Sequence, residues 1–156
     1  MTREAQLVAR LTQRGGWLAL AESCTGGLVA ARLTAVAGAS AVFAGGVVAY
    51  HNDVKRDLLT VPAAVLEAQG AVSPETALAM AHGVQRLLHA NLAAAITGIA
   101  GPGGGTDTKP VGLVFIAVTS PVGVCVERFV FGGTRAAVRA QAAEAALQML
   151  LAQTAR

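Results

Sequence analysis

Short apolar runs alternate with amphipathic helical runs along this sequence, and that alternation limits the folds open to the chain. Strand-like runs cover residues 17–21, 42–50 and 92–99, with helical runs between them. Strands joined through helices pair in parallel and are covered on both faces. Two further β-rich runs, 111–120 and 124–133, are separated by a Pro-Val-Gly turn, which predicts a hairpin. We therefore predict an α/β fold, a three-layer α/β/α sandwich with a mixed, partly parallel sheet and one antiparallel hairpin.

Several helix ends are marked by capping residues. Ser73 is followed by a proline and a glutamate, the order typical of a helix start, and Thr134 precedes the last helical run. A pair of glycines after residue 14 is typical of a helix end. The pattern predicts helices over 3–14, 28–38, 52–59, 62–69 and 73–90 and a final helix after Thr134.

Length and composition indicate one packed domain over residues 1–156. The chain is 54% hydrophobic and 13% charged, which excludes a disordered protein. An apolar run long enough to span a bilayer is absent, as is a signal-peptide pattern, so we expect a cytoplasmic protein without a membrane partner. The apolar, alanine-rich composition favours a homo-oligomer.

Charge and cysteine usage exclude several classes of function. The net charge is +3 and aromatic residues make up 4% of the chain, without the basic–aromatic interleaving of a nucleic-acid interface. Two cysteines form no disulfide framework. The three histidines lack partners at metal-ligand spacing, so we expect no metal site.

The first loop that can carry chemistry follows the strand over 17–21. It contains Ser23, Thr25, Gly26 and Gly27 at the start of a helix, where free N–H groups can bind a phosphate or an oxyanion. From the residues alone, these side chains either cap and pack the helix or include a reactive hydroxyl or thiol, the thiol being that of Cys24. The role of Glu22 at the strand end is also left open: it can act as a base, bind an amide or simply face solvent.

The second loop reads Tyr-His-Asn-Asp-Val-Lys and contains Tyr50, Asn52 and Lys55. A serine nucleophile needs a base, and a lysine can serve when burial lowers its pKa. The charged neighbours of Lys55 instead favour a solvated surface lysine. Tyr50 and Asn52 either orient that lysine and bind substrate, or pack the strand end and cap a helix.

The third loop, residues 97–110, is rich in glycine and proline. Such a backbone can direct several N–H groups at an anion, and Lys109 adds charge. It matches neither a Walker A loop nor GxGxxG. The alternatives are a flexible connector and a ligand-binding loop, whose candidate residues are Thr97, Gly98, Gly101, Gly103, Gly104 and Lys109.

The three loops are expected to meet. Ser23, Tyr50 and Thr97 each lie at or just past the carboxyl end of a predicted strand. Ligands of open α/β sheets bind at that edge. The sequence therefore predicts one crevice lined by all three loops.

Six motifs in this order resemble the CinA carboxy-terminal domain family over nearly the whole chain. They are ESCTGG (22–27), YHNDVK (50–55), VSPETALAMAHG (72–83), TGIAGPGGG (97–105), KPVG (109–112) and FGGTRAAVR (131–139). The family includes nicotinamide-nucleotide amidases, which convert nicotinamide mononucleotide to nicotinate mononucleotide and ammonia. The resemblance implies an amidohydrolase with a small-molecule nucleotide substrate and no cofactor or metal. It places the nucleophile on Ser23 and its base on Lys55, with Tyr50 and Thr97 near the site.

The resemblance also implies the course of the reaction. Ser23 attacks the amide carbon while Lys55 takes the hydroxyl proton, and loop N–H groups around 25–27, or those of Thr97 and Gly98, hold the oxyanion. The nucleotide phosphate would lie against the glycine loop or a helix end.

Two departures from the family pattern matter. Full-length members carry an additional amino-terminal domain without a counterpart here, so the sequence resembles the stand-alone form. The last motif often reads Gly-Asp-Arg, whereas Thr134 precedes Arg135 here, which leaves the role of Arg135 open. The alternatives to an amidase are a nucleotide-binding or regulatory module without catalysis, and a scaffold protein that binds no small molecule.

Overall fold

The computed structural model of the chain describes residues 1–155, in which helices alternate with strands. Its helices are α1 (Arg3–Arg14), α2 (Leu28–Thr34), α3 (Asn52–Asp57), α4 (Ala63–Gln69), α5 (Pro74–Leu87) and α6 (Arg135–Thr154). Its strands are β1 (Leu18–Glu22), β2 (Phe43–Val48), β3 (Leu92–Gly98), β4 (Leu113–Ser120) and β5 (Gly123–Val130). A short 3₁₀ turn covers Ala39–Ala41.

The five strands form one mixed sheet in the order β2-β1-β3-β4-β5. β1 pairs in parallel with β2 and β3, whereas β4 runs antiparallel to both β3 and β5. Helices α1, α2 and α6 pack together on one face, and α5 covers the other face with α4 beside it. The predicted three-layer α/β/α sandwich with its mixed sheet and hairpin is confirmed.

Local sequence explains where the main helices begin. The side-chain oxygens of Thr2, Ser73 and Thr134 each accept a hydrogen bond from an amide in the first turn of the following helix. Such a bond satisfies an amide that has no partner inside the helix. The predicted caps Ser73 and Thr134 are confirmed.

The predicted helix over residues 28–38 is too long. It ends at Thr34, and Gly38 adopts a left-handed φ of 90° before the 3₁₀ turn. The chain must reverse here so that β2 can lie beside β1, and glycine permits that backbone. The helix predicted over 73–90 also ends early, at Leu87, with His89 at a φ of 52°.

The sheet topology brings the three candidate loops to one edge. Because β1, β2 and β3 are parallel, their carboxyl ends at Glu22, Val48 and Gly98 lie side by side. The antiparallel β4 begins at the same edge, where the glycine-rich loop ends. Within residues 1–155, none of the helices combines the length and the apolarity that a bilayer-spanning helix needs.

Candidate active site

Lys55 and Ser23 form a hydrogen-bonded pair in the interior of this edge. The ammonium nitrogen of Lys55 lies 3.0 Å from Ser23 Oγ, although 32 residues separate the two in sequence. Ser23 follows β1 directly, and its amide donates to the carbonyl of Ile96 on β3, which fixes the position of the hydroxyl. Lys55 is 1% exposed and Ser23 is 8% exposed.

Two backbone carbonyls determine the direction of the remaining Lys55 protons. Nζ lies 2.7 Å from the carbonyl oxygen of Ala49 and 3.1 Å from that of Tyr50. A neutral lysine has two N–H bonds and one lone pair. When the two N–H bonds point to these carbonyls, the lone pair faces Ser23 Oγ, which is the geometry of a base.

Burial lowers the pKa of Lys55 from 10.5 to about 8. Removing an ammonium from water disfavours its charged form. At pH 7 about a tenth of the amine is therefore neutral, far more than for a lysine with the usual pKa. The surface-lysine alternative is excluded, because the side chain is enclosed.

Cys24 lies beside Ser23 but is a poor nucleophile. Its side chain is buried, and that burial raises the thiol pKa to about 11. Reactive cysteines have lowered pKa values and act as thiolates. Of the two candidate nucleophiles in this loop, the environment favours the Ser23 hydroxyl.

A pocket of about 250 Å³ opens onto this pair. Many of the candidate residues line this pocket, and residues 71–72 form part of its wall. The predicted residues in its lining are Ser23, Tyr50, Lys55, Thr97, Gly98, Gly101, Gly103 and Gly104. Arg135, whose role the sequence left open, also lines it.

Five other predicted residues lie outside the lining. Gly26 and Gly27 adopt positive φ values of 59° and 105° and form the turn that starts α2. Asn52 is exposed in the first turn of α3, and Thr25 is fully buried. Lys109 donates to the carbonyl of Gln69. Contact of these residues with a substrate stays a prediction.

Glu22 caps a helix. The side chain is buried, and its two oxygens accept the amides of Val29 at 2.9 Å and Ala30 at 3.0 Å. A carboxylate at a helix amino end satisfies unpaired amides and complements the helix dipole. These amides of α2 are therefore occupied, and a substrate phosphate cannot bind them while Glu22 does.

Tyr50 and Arg135 form a hydrogen bond at the rim of the pocket. Arg135 donates to the Tyr50 hydroxyl and to the carbonyl of Gly101, both at 2.8 Å. Tyr50 is 59% exposed, so its hydroxyl lies at the rim while its carbonyl holds Lys55. The position of Arg135 could have been inferred from the sequence, because the Thr134 cap puts the next residue in the first turn of α6.

The wall opposite α6 is held by side chains that bind backbone carbonyls. Thr97 Oγ1 donates to the carbonyl of Ala71 at 2.7 Å, and Thr76 Oγ1 donates to that of Gly70 at the same distance. The hydroxyl of Thr97 is thus engaged in positioning this wall.

A second arginine of α6 binds the nucleophile loop. Arg139 donates from Nε to the carbonyl of Cys24 at 3.1 Å and from Nη2 to that of Thr25 at 2.9 Å. Sequence reasoning missed this residue, although it lies in the last of the six motifs. Its spacing of four from Arg135, which puts both on one helix face, was the available signal.

Comparisons with known proteins agree with this architecture. The family model described as CinA C-terminal domain matches residues 1–154. The CinA-like protein of Geobacter sulfurreducens is 51% identical over 144 residues, which cover 92% of this chain and 35% of that protein. The chain spans about a third of the length of the curated relatives that it matches.

Solved structures match over nearly their whole length. The competence/damage inducible protein CihA from Agrobacterium tumefaciens is 45% identical, with a TM-score of 0.90, covering 97% of this chain and 96% of that chain. A CinA superfamily protein from Klebsiella pneumoniae is 38% identical, with a TM-score of 0.94, covering 98% and 96%. This chain belongs to the CinA C-terminal domain family.

Proposed function

We propose that the chain is a serine–lysine amidohydrolase that converts nicotinamide mononucleotide to nicotinate mononucleotide and ammonia. The observation that carries the chemistry is the enclosed Lys55 amine, directed at Ser23 Oγ by two backbone carbonyls. The family resemblance supplies the substrate.

The pocket lining supports an anionic substrate. Arg135 contributes a cation, and the glycine-rich loop contributes backbone close to the cavity. The described residues that line the pocket include no carboxylate. A phosphate therefore meets positive charge and backbone dipoles at this edge, without like-charge repulsion.

Acylation begins with neutral Lys55. Its amine takes the hydroxyl proton as Ser23 Oγ forms a bond to the carboxamide carbon, which gives a tetrahedral oxyanion. The C–N bond then breaks, and the Lys55 ammonium gives its proton to the departing nitrogen. Ammonia departs, and the acyl group stays bound to Ser23 as an ester. A water molecule attacks that ester, with Lys55 as base, and releases the carboxylate and free Ser23.

The loop amides are candidates to stabilise the oxyanion. The amide of Ser23 donates to Ile96, that of Gly26 to Ser23, and that of Leu28 to Thr25. We assign the oxyanion to the amide of Cys24, which follows the nucleophile directly and belongs to a residue that lines the pocket. Preorganised N–H donors in such a site contribute several kcal/mol to transition-state stabilisation.

Ammonia release from nicotinamide mononucleotide tests the proposal. We expect turnover by the wild type and its loss in Ser23→Ala and in Lys55→Met, which keeps most of the side-chain volume. Ser120→Ala is the matched control, since this serine ends β4 at the opposite edge of the sheet, and it should retain full turnover. Turnover that survives in Ser23→Ala would contradict the mechanism. Saturable binding of the nucleotide without ammonia release from the wild type would favour a nucleotide-binding or regulatory module instead.

A further inference from the structure

The rim of the active-site pocket carries hydrogen-bond donors that the chain itself does not use. A guanidinium has five N–H bonds. Within residues 1–155, that of Arg135 donates to the carbonyl of Gly101 and to the hydroxyl of Tyr50, so its other N–H bonds remain available. The Tyr50 oxygen accepts that bond, and its own hydrogen has no acceptor in the described chain. Both side chains are exposed and line the pocket, where a ligand can reach them.

The nucleophile lies at the other, enclosed end of the pocket. Ser23 is 8% exposed and Lys55 is 1% exposed, whereas Tyr50 is 59% exposed. Tyr50 joins the two ends, because its carbonyl accepts from Lys55 and its hydroxyl accepts from Arg135. In nicotinamide mononucleotide the pyridine ring and the ribose separate the carboxamide from the phosphate. When the carboxamide is at Ser23, the phosphate therefore lies toward the rim.

Charge and shape at the rim fit a phosphate monoester. Lys55 is engaged at Ser23, so Arg135 is the cation of the lining that remains for a ligand. Arg135 forms no ion pair with a carboxylate of the described chain. Its planar fork matches two phosphate oxygens, and charge-assisted bonds of this kind are stronger than neutral ones. The Tyr50 hydroxyl, 2.8 Å from the guanidinium, places a neutral donor beside that fork.

We propose that Arg135 and the Tyr50 hydroxyl form a phosphate-monoester subsite, through which the enzyme prefers a nicotinamide nucleotide to the corresponding nucleoside. Both groups act on binding, since they lie at the rim and away from the reacting atoms. The inference rests on the proposed function and adds to it the residues that select the nucleotide. Nicotinamide riboside isolates their effect, because it carries the same carboxamide, ring and ribose without the phosphate.

The test measures ammonia release from nicotinamide mononucleotide and from nicotinamide riboside in parallel. The variants are Arg135→Met, Arg135→Lys, which keeps the charge without the fork, and Tyr50→Phe, which keeps the carbonyl that binds Lys55. Arg86→Met is the matched control, because Arg86 is also an exposed helix arginine that donates to a side-chain hydroxyl, that of Thr60, at 2.8 Å. This control removes the same charge outside the pocket lining.

For Arg135→Met we expect kcat/KM for the nucleotide to fall roughly 10- to 100-fold, the usual range for a lost hydrogen bond to a charged group. The loss should appear mainly in KM, because the phosphate is bound alike in the ground state and the transition state, and the riboside should change by less than about twofold. Arg135→Lys should lose an intermediate amount. Tyr50→Phe should lose roughly 2- to 10-fold for the nucleotide, as for a neutral hydrogen bond. Arg86→Met should change neither substrate.

A merely structural role of Arg135 would give a different result. Arg135 also binds the carbonyl of Gly101 and thereby supports the glycine-rich loop, and loss of that support would slow both substrates alike. Equal losses for the two substrates, or a wild type without preference for the nucleotide, would overturn the inference and leave the amidase standing. If Arg135→Met does not fold, Arg135→Lys and Tyr50→Phe carry the comparison.

Failure of the amidase and failure of the subsite give different results. A wild type that releases ammonia from neither compound would overturn the amidase, and calorimetric titration with nicotinate mononucleotide and nicotinate riboside then tests the subsite alone. Tighter binding of the mononucleotide that is lost in Arg135→Met would leave the subsite standing in a nucleotide-binding module. Equal binding of the two compounds, or binding of neither, would overturn both.

Discussion

Replacing Lys55 with methionine should change how the stability of the protein depends on pH. Lys55 is enclosed, and burial lowers its pKa from 10.5 to about 8. Between those two values the unfolded chain binds one proton more than the folded chain. The contribution of this group to the free energy of unfolding therefore rises with pH from about 8 to 10.5, and it levels off at its lowest value below about 8.

The size of the effect follows from the two pKa values. The whole difference corresponds to about 3 kcal/mol, at about 1.4 kcal/mol per pKa unit. Most of it falls between pH 7 and pH 10, where the wild type should gain about 2 to 3 kcal/mol relative to Lys55→Met. Methionine does not titrate, so the difference between the two proteins isolates this one group. Other titrations that both share, such as that of Cys24, largely cancel.

Urea denaturation of both proteins at pH 7, 8, 9 and 10 measures the difference. We expect it to increase with pH in favour of the wild type, while kcat/KM of the wild type rises through the same pKa. Parallel stability curves would refute the reasoning, because they would mean that Lys55 titrates alike in the folded and unfolded chains. The neutral amine assigned to the base would then be scarce at pH 7.

Three further outcomes test the surroundings of Ser23. Iodoacetamide at pH 8 should alkylate Cys24 at least tenfold more slowly in the native protein than in urea, since burial raises the thiol pKa to about 11. Mass spectrometry measures the two rates, and equal rates would contradict the enclosure of the thiol. Thr25→Val should raise the free energy of unfolding by about 1 kcal/mol, because the buried Thr25 Oγ1 has no partner among the described residues; loss of turnover in this variant would show that the hydroxyl meets substrate. Glu22→Gln should lower the free energy of unfolding by about 1 to 3 kcal/mol, because the side-chain NH2 group that replaces one carboxylate oxygen cannot accept a hydrogen bond from an amide of α2. An unchanged urea midpoint would contradict the capping role.

The fold could be predicted from the sequence because its determinants are local. Apolar runs, the turn of the hairpin and caps such as Ser73 and Thr134 act within a few residues of where they stand. The helix predicted over 28–38 was too long because its end is set by tertiary structure and not by local sequence. Alanine-rich sequence permits a longer helix, but the return of the chain to β2 stops it at Thr34.

The state of Lys55 could not be predicted from its neighbours. Asp53 and Arg56 on the same short helix are exposed and pair with each other. Lys55 instead contacts the hydroxyl of Ser23, which follows β1 and is 32 residues away in sequence, and the carbonyl of Ala49, which follows β2. Charge pattern reports the solvated side of a helix, whereas burial of the other side depends on tertiary packing.

Glu22 and Lys109 show the same limit for ionic groups. Both could be recognised as functional candidates by residue type and position, and both bind backbone groups of the chain itself. A charged side chain next to a ligand-binding edge has two possible partners, the ligand and the unpaired backbone of the loops. Sequence alone does not distinguish them, because the unpaired backbone groups become visible only in the folded loops.

The cations around the pocket share one feature that fits the proposed chemistry. Lys55, Arg135 and Arg139 all donate to backbone carbonyls, and none of them forms an ion pair with a carboxylate of the described chain. A carboxylate beside Lys55 would stabilise its ammonium and raise its pKa, which would remove the base. Neutral carbonyls orient the amine without that penalty. The nearby acid, Glu22, is occupied by the amides of α2, so the edge keeps the positive charge that an anionic nucleotide requires.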